Sequence, residues 1–215
     1  MGVKKMGLPQ TRIRYTEDQY LSMERESEER HEYIDGHIYA MAGESPEHGA
    51  ICTNLTREVS TQLKGTPCQA FAKDMKVRSG TLPKRRFSQK GLYSYPDLVI
   101  VCGELHFLDE NRDVLINPKV IIEVSSPSTE AFDRSEKFRR YREFNPSLTD
   151  YLIVAQNRPS IEYFSRQENG LWVIAASVVE LSESIHIASV NCALRLVEVY
   201  DRIEFPEEEE EPDDE

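Results

Sequence analysis

Two short runs constrain this chain most. Leu98 to Val101 and Val120 to Val124 are apolar at nearly every position, yet Asp97 opens the first, behind Pro96, and Glu123 interrupts the second. Strands that are apolar on both faces belong at the centre of a sheet covered on both sides. A carboxylate placed there without a partner is costly, so each acid must be paired, protonated or bound to a cation. On neighbouring strands the two carboxylates would stand about 4 Å apart and repel by about 4 kcal/mol at a surface-like dielectric. A divalent cation removes that penalty, and hard oxygen ligands suit Mg²⁺ or Mn²⁺. The alternative is a buried Arg or Lys beside each acid.

The flanking pattern is mixed α/β. Thr16-Glu-Asp-Gln19 fits a capping box and predicts a helix to about Ser27. Asp35-Gly36 between Tyr33-Ile34 and Ile38-Tyr39 predicts a hairpin. Ser45-Pro46 starts a second helix, whose buried face is Ile51, Leu55, Val59 and Leu63. Strands are expected at Cys68 to Val77, Asp97 to Val101, Val120 to Ser125 and Tyr151 to Ala155. A helix from about Glu130 to Phe144 links the last two as a crossover unit, with Phe138, Tyr141 and Phe144 near one stripe. Further strands follow at Ile161 to Ser165, Leu171 to Ala175 and Ser184 to Ala188. The expected architecture is a mixed central β-sheet flanked by helices.

Asp133, Lys137 and Tyr141 are spaced i, i+4, i+8 on that helix and share a face. If the face packs over the strand ends, Lys137 reaches the carboxylates. Metal, carboxylates and one lysine then form a set suited to phosphodiester hydrolysis. The plain alternative is a Lys137–Asp133 pair on a solvated face.

Charge and composition exclude little. The net charge is −12, but the last nine residues, Glu207 to Glu215, hold eight acids and no base, which leaves the body at only −4. The chain reads as one domain over 1–206 and a disordered acidic tail over 207–215. No apolar run approaches the roughly 18 residues of a membrane span. The start MGVKKMGLPQ has no apolar stretch after its lysines, and Met6 stands where a myristoylation signal wants Ser or Thr, so a cytoplasmic address is expected. Cys52, Cys68, Cys102 and Cys192 are scattered and read as small core residues.

The chain resembles the putative restriction endonuclease family of the PD-(D/E)XK nuclease superfamily. The resemblance rests on His31-Glu32-Tyr33-Ile34-Asp35-Gly36, Ser45-Pro-Glu-His48, Tyr95-Pro96-Asp97-Leu-Val-Ile-Val and Ile122-Glu123-Val-Ser-Ser-Pro-Ser-Thr129. It continues through Asp133-Arg-Ser-Glu-Lys137 to Tyr141 and then Tyr151-Leu-Ile-Val. It implies a restriction-endonuclease-like α/β fold and a metal site at Asp97 and Glu123, with Val124 beside them. Glu32 matches the family's early glutamate as a further catalytic carboxylate. His48 matches its early histidine as a pocket residue or as a core histidine, and Lys137 and Tyr141 match the helix after the second acid. The superfamily pattern puts its lysine two residues after that acid, where this chain has Ser125. Lys137 is the expected replacement, with Ser125 and Tyr141 near the substrate; the alternative is a dead site.

Lys84, Arg85 and Arg86, with Lys90, form the one dense basic stretch, a candidate phosphate contact or an ordinary solvated loop. The expected function is a Mg²⁺- or Mn²⁺-dependent DNA endonuclease acting as a homodimer. The rival is a nuclease-fold nucleic-acid-binding or regulatory protein without turnover.

Overall fold

A computed structural model describes residues 13–41, 43–80 and 91–205. The basic stretch Lys84, Arg85 and Arg86, Lys90, Met6 and the acidic tail 207–215 lie outside the described residues. Helix α1 (Glu17–Glu26) starts on the expected capping box: Thr16 Oγ1 accepts from the Gln19 N–H, and the Gln19 side chain accepts from the Thr16 N–H. Strands β1 (His31–Ile34) and β2 (His37–Ala40) form the hairpin, and Asp35 and Gly36 turn it with φ of 47° and 92°. Helix α2 (Pro46–Leu63) is capped by Ser45, and its predicted stripe is buried.

The expected strand from Cys68 to Val77 is two strands. β3 (Cys68–Ala72) and β4 (Lys76–Ser79) belong to different sheets, because Lys73 takes a left-handed conformation (φ 49°) and turns the chain. They are followed by β5 (Leu92–Ser94), β6 (Leu98–Cys102), β7 (Val114–Leu115) and β8 (Val120–Ser125). The crossover helix is present but not uniform. A turn of α3 (Glu130–Phe132) passes through a π turn at Asp133–Lys137 into α4 (Phe138–Phe144). Then come β9 (Asp150–Ala155), β10 (Ile161–Arg166), β11 (Trp172–Val178), the hairpin β12 (Ser184–Ile187) and β13 (Cys192–Arg195), and a short α5 (Leu196–Val199).

The central sheet is six-stranded and mixed, in the order β11-β10-β9-β8-β6-β3. β8 and β9 are parallel, as a crossover requires, while β6 runs antiparallel to β8 with Leu98 opposite Ile122. Alternate residues of these strands feed two cores. Leu98, Ile100, Ile122 and Val124 pack under α2 with Ile51, Leu55 and Val59. Val99, Val101 and Ile121 pack with Phe138, Tyr141 and Tyr151 beneath the crossover helix. A five-stranded sheet, β2-β1-β5-β4-β7, closes over that second layer. Both faces of β6 and β8 are therefore covered, which is why their sequences do not alternate.

Two of the four cysteines depart from the small-core reading. Cys68 and Cys102 lie opposite each other on β3 and β6 and form a disulfide, while Cys52 and Cys192 are free and buried. Among the described residues no helix is long and apolar enough to cross a membrane.

Candidate active site

A cleft of about 550 Å³ opens where the β1–β2 hairpin, the first turn of α2 and the ends of β6 and β8 meet the π turn. Glu32, His48, Asp97, Glu123, Val124, Asp133 and Lys137 line it. Six residues expected at the site from sequence thus share one wall or another of a single cleft. They come from five separate elements, so tertiary packing assembles the set.

Asp97 stands on the bend just before β6, with Pro96 buried behind it. The β6–β8 ladder ends at the Leu98–Ile122 pair, and Asp97 extends it by side chain: Oδ2 accepts the Val124 N–H at 2.7 Å. Oδ1 lies 2.9 Å from His48 Nε2. Burial works to raise the Asp97 pKa, but the bond and charge of His48, then the Val124 amide and Lys137, outweigh it and hold the carboxyl below its ordinary range. Burial opposes charge on His48 as well, and the Asp97 bond overcomes it, leaving the imidazole more basic than usual.

Glu123, 3% exposed, sits inside β8 on the face toward the crossover helix. Its Oε1 accepts from Tyr141 OH at 2.9 Å and lies 3.1 Å from Lys137 Nζ. The Tyr141 hydroxyl is tied in turn to Ser94 Oγ at 2.7 Å. The Lys137 ammonium also lies 3.4 Å from Glu32 and 3.7 Å from Asp133. At 7% exposure Lys137 is not on a solvated face, and Asp133 is its most distant carboxylate partner of the three. Burial pushes Glu123 up, to about 8; Lys137 pulls against this, and Asp133, Asp97 and Glu32 add to the rise. Burial likewise opposes charge on Lys137, but Glu123 and Glu32 overcome it and keep the ammonium protonated.

Three carboxylates thus meet one lysine, and a fourth, Asp97, lines the same cleft in contact with His48. The expected buried basic partner is present at Glu123, through Lys137, whereas Asp97 pairs with His48 and the Val124 amide, and the cluster remains short of positive charge. A hard divalent cation fits that deficit, and Asp97 and Glu123 offer it oxygen ligands at the cleft wall.

Two expected substrate contacts lie behind the wall. Ser125 is 1% exposed and donates to Asp133 Oδ2 at 2.9 Å. Tyr141 is fully buried between Glu123 and Ser94. Both hold acids or each other's neighbours in place from inside the protein. Asp133, read from sequence only as a pairing partner of Lys137, is a full member of the cluster. Cys52 was missed: its Sγ, His48 and Asp97 offer ligand atoms within 4.8 Å of one another. The signal was the i, i+4 spacing of His48 and Cys52 on α2.

Comparison with known proteins agrees with this architecture. The chain is 30% identical over 188 residues to "Uncharacterized protein slr1290" of Synechocystis sp., covering 87% of this chain and 92% of that one. It is 29% identical over 168 residues to "Uncharacterized protein sll1609" of the same organism, covering 78% and 90%. The fold resembles the crystal structure of "a putative nuclease belonging to DUF820" from Anabaena variabilis with a TM-score of 0.67 at 16% identity, covering 86% of this chain and 97% of that one. Residues 17–194, which include every carboxylate of the cleft and its lysine, match the family described as "Uma2: Putative restriction endonuclease", and the chain belongs to that family.

Proposed function

We propose that the protein is a metal-dependent endonuclease that hydrolyses DNA phosphodiester bonds. The observation that carries this reading is the gathering of Glu32, Glu123 and Asp133 around Lys137, with Asp97 lining the same open cleft. Asp97 and Glu123, with Val124 beside them, would hold Mg²⁺ or Mn²⁺. When bound, such an ion supplies a Lewis acid for the phosphate and a more acidic water.

The chain's own groups do the rest. His48 and the Val124 amide fix the two oxygens of Asp97, and Tyr141 fixes Glu123. Lys137 presents an ammonium beside the acids, where it stabilises charge that develops on the phosphate. Ser126, Ser128 and Thr129 at the cleft edge offer hydroxyl donors to phosphate oxygens. We assign backbone contact to Lys84, Arg85 and Arg86 on charge alone. A homodimer in the cytoplasm, with one site for each strand, completes the reading.

The rival, a nuclease fold without turnover, draws on Ser125 in the superfamily's lysine position and on the engagement of Lys137 by three carboxylates. A plasmid-nicking assay separates the two. Nicking with Mg²⁺ or Mn²⁺, abolished by chelator and by Asp97→Asn, is expected; binding without nicking in either metal favours the rival.

A further inference from the structure

The cleft has a second donor set, which shares His48 and Asp97 with the nuclease reading and adds Cys52, a residue that reading leaves unused. His48 and Cys52 stand one turn apart on α2, and Asp97 faces them from the start of β6. One imidazole nitrogen, the Sγ and one carboxylate oxygen lie within 4.8 Å of one another. Cys52 is buried to 3% at the margin of the apolar stripe Ile51, Leu55 and Val59, while His48 and Asp97 reach the cleft.

The chemistry of this set differs from that of Asp97 and Glu123. One imidazole, one thiol and one carboxylate are nitrogen, sulfur and oxygen donors. A soft thiolate selects Zn²⁺ over Mg²⁺, which takes oxygen almost exclusively. Three protein ligands with the fourth direction open to a cleft is a common zinc arrangement, with bonds of about 2.0–2.3 Å. Small side-chain rotations would draw the three atoms to that distance. His48 would give up its bond to Asp97, and the Cys52 proton would pass to solvent.

We propose that His48, Cys52 and Asp97 form a zinc site, and that Zn²⁺ held there draws Asp97 away from the hard-metal position beside Glu123. The protein would then be switched off by zinc through a carboxylate shared between two metal sites of opposite softness. The zinc site does not depend on the nuclease reading; only the inhibition rests on it.

Cobalt is the probe, because a thiolate ligand gives Co²⁺ a near-ultraviolet charge-transfer band that needs no activity to observe. Metal-free protein with its Cys68–Cys102 disulfide intact is titrated with Co²⁺. A band that saturates at one equivalent is expected. It should be lost in Cys52→Ser, kept in Cys192→Ala and displaced by Zn²⁺. Circular dichroism checks the fold of each variant, and Cys52→Ala replaces Cys52→Ser if the latter is unfolded. No band in the wild type, or an equal band in the folded Cys52 variant, overturns the site.

The second arm measures zinc inhibition of Mg²⁺-supported nicking. The Cys52 variant should need about tenfold more zinc or beyond for the same inhibition. Equal sensitivity of both proteins overturns the inhibitory role. A cobalt band in a protein that nicks DNA with neither Mg²⁺ nor Mn²⁺ supports the zinc site and overturns the nuclease reading, together with the inhibition that rests on it.

Discussion

Lys137 Nζ lies 3.1 Å from Glu123 Oε1, although the lysine stands on the helix that follows the glutamate's strand and is separated from it by the turn at Ser126–Thr129. The ion pair is buried on both sides, at 8% and 4% side-chain exposure. Removing one partner of such a pair is expensive, about 3–5 kcal/mol, because the other is left buried and uncompensated.

Lys137→Ala should therefore be less stable by about that amount and should lose about a hundred- to a thousand-fold in nicking rate. Saturating Mg²⁺ should restore part of the stability, since the cation replaces the missing charge. Adding Ser125→Lys should recover some activity, because Ser125 already touches Asp133 beside the vacated space. Nicking kinetics and thermal melts of the three proteins check this. Wild-type rates for Lys137→Ala would show that the lysine serves only to balance the acids.

Mn²⁺ at about a hundred times its Kd should stabilise the wild type by about 2.7 kcal/mol. For a chain of this size that is a rise in Tm of roughly 5–10 °C. Asp97→Asn, which keeps shape and loses charge, should remove most of the rise. Differential scanning fluorimetry is sufficient, and a full rise in the variant would place the ion elsewhere.

Asp113, which does not line the cleft, gives a pH prediction. Burial works to raise it, but bonds from Arg25 and Lys76 lower it to about 2. A depressed carboxylate stabilises the fold above its unfolded pKa of about 3.9 and loses that contribution as pH falls toward 2. The pair is part-exposed, so solvent screening leaves about 1 kcal/mol or less. Urea unfolding between pH 4 and 2 should show a shallower decline for Asp113→Asn than for the wild type.

The Cys68–Cys102 disulfide closes the β3 end of the central sheet, at the opposite end of the β3–β6 ladder from Asp97. Replacing both cysteines with alanine should cost about 2–4 kcal/mol. The Mn²⁺-induced rise in Tm should survive. Its loss would mean that the ladder transmits strain as far as the metal site.

Local signals were legible where one stretch of chain decides the outcome. The Thr16 capping box, the Asp35-Gly36 turn, the Ser45 cap and the parallel crossover from β8 to β9 all appear as the sequence predicts. Features that depend on register or on distant packing were not. Lys73 turns the chain in a left-handed conformation that lysine rarely signals, so β3 and β4 read as one strand. The Cys68–Cys102 bond needs the β3–β6 register, which spacing along the chain does not give. The site residues Asp97, Glu123 and Lys137 could be named from their odd settings. The Asp133–Lys137 contact was legible from its i, i+4 spacing, whereas that Glu32 shares the same ammonium follows only from closing one sheet over the other.

The π turn at Asp133–Lys137 has a consequence for which mutations matter. Its extra residue is marked by the Phe138 N–H, which reaches back five positions to the Asp133 carbonyl. Losing one codon from this segment would keep the reading frame, the helix and nearly all the composition. It would remove the extra residue and let the segment close as an ordinary α-helix, with its flanks near their present phase. The same deletion in α2, which carries no such residue, would turn its two halves by about 100° against each other. A three-base deletion is therefore milder at this turn than in a regular helix of the same chain.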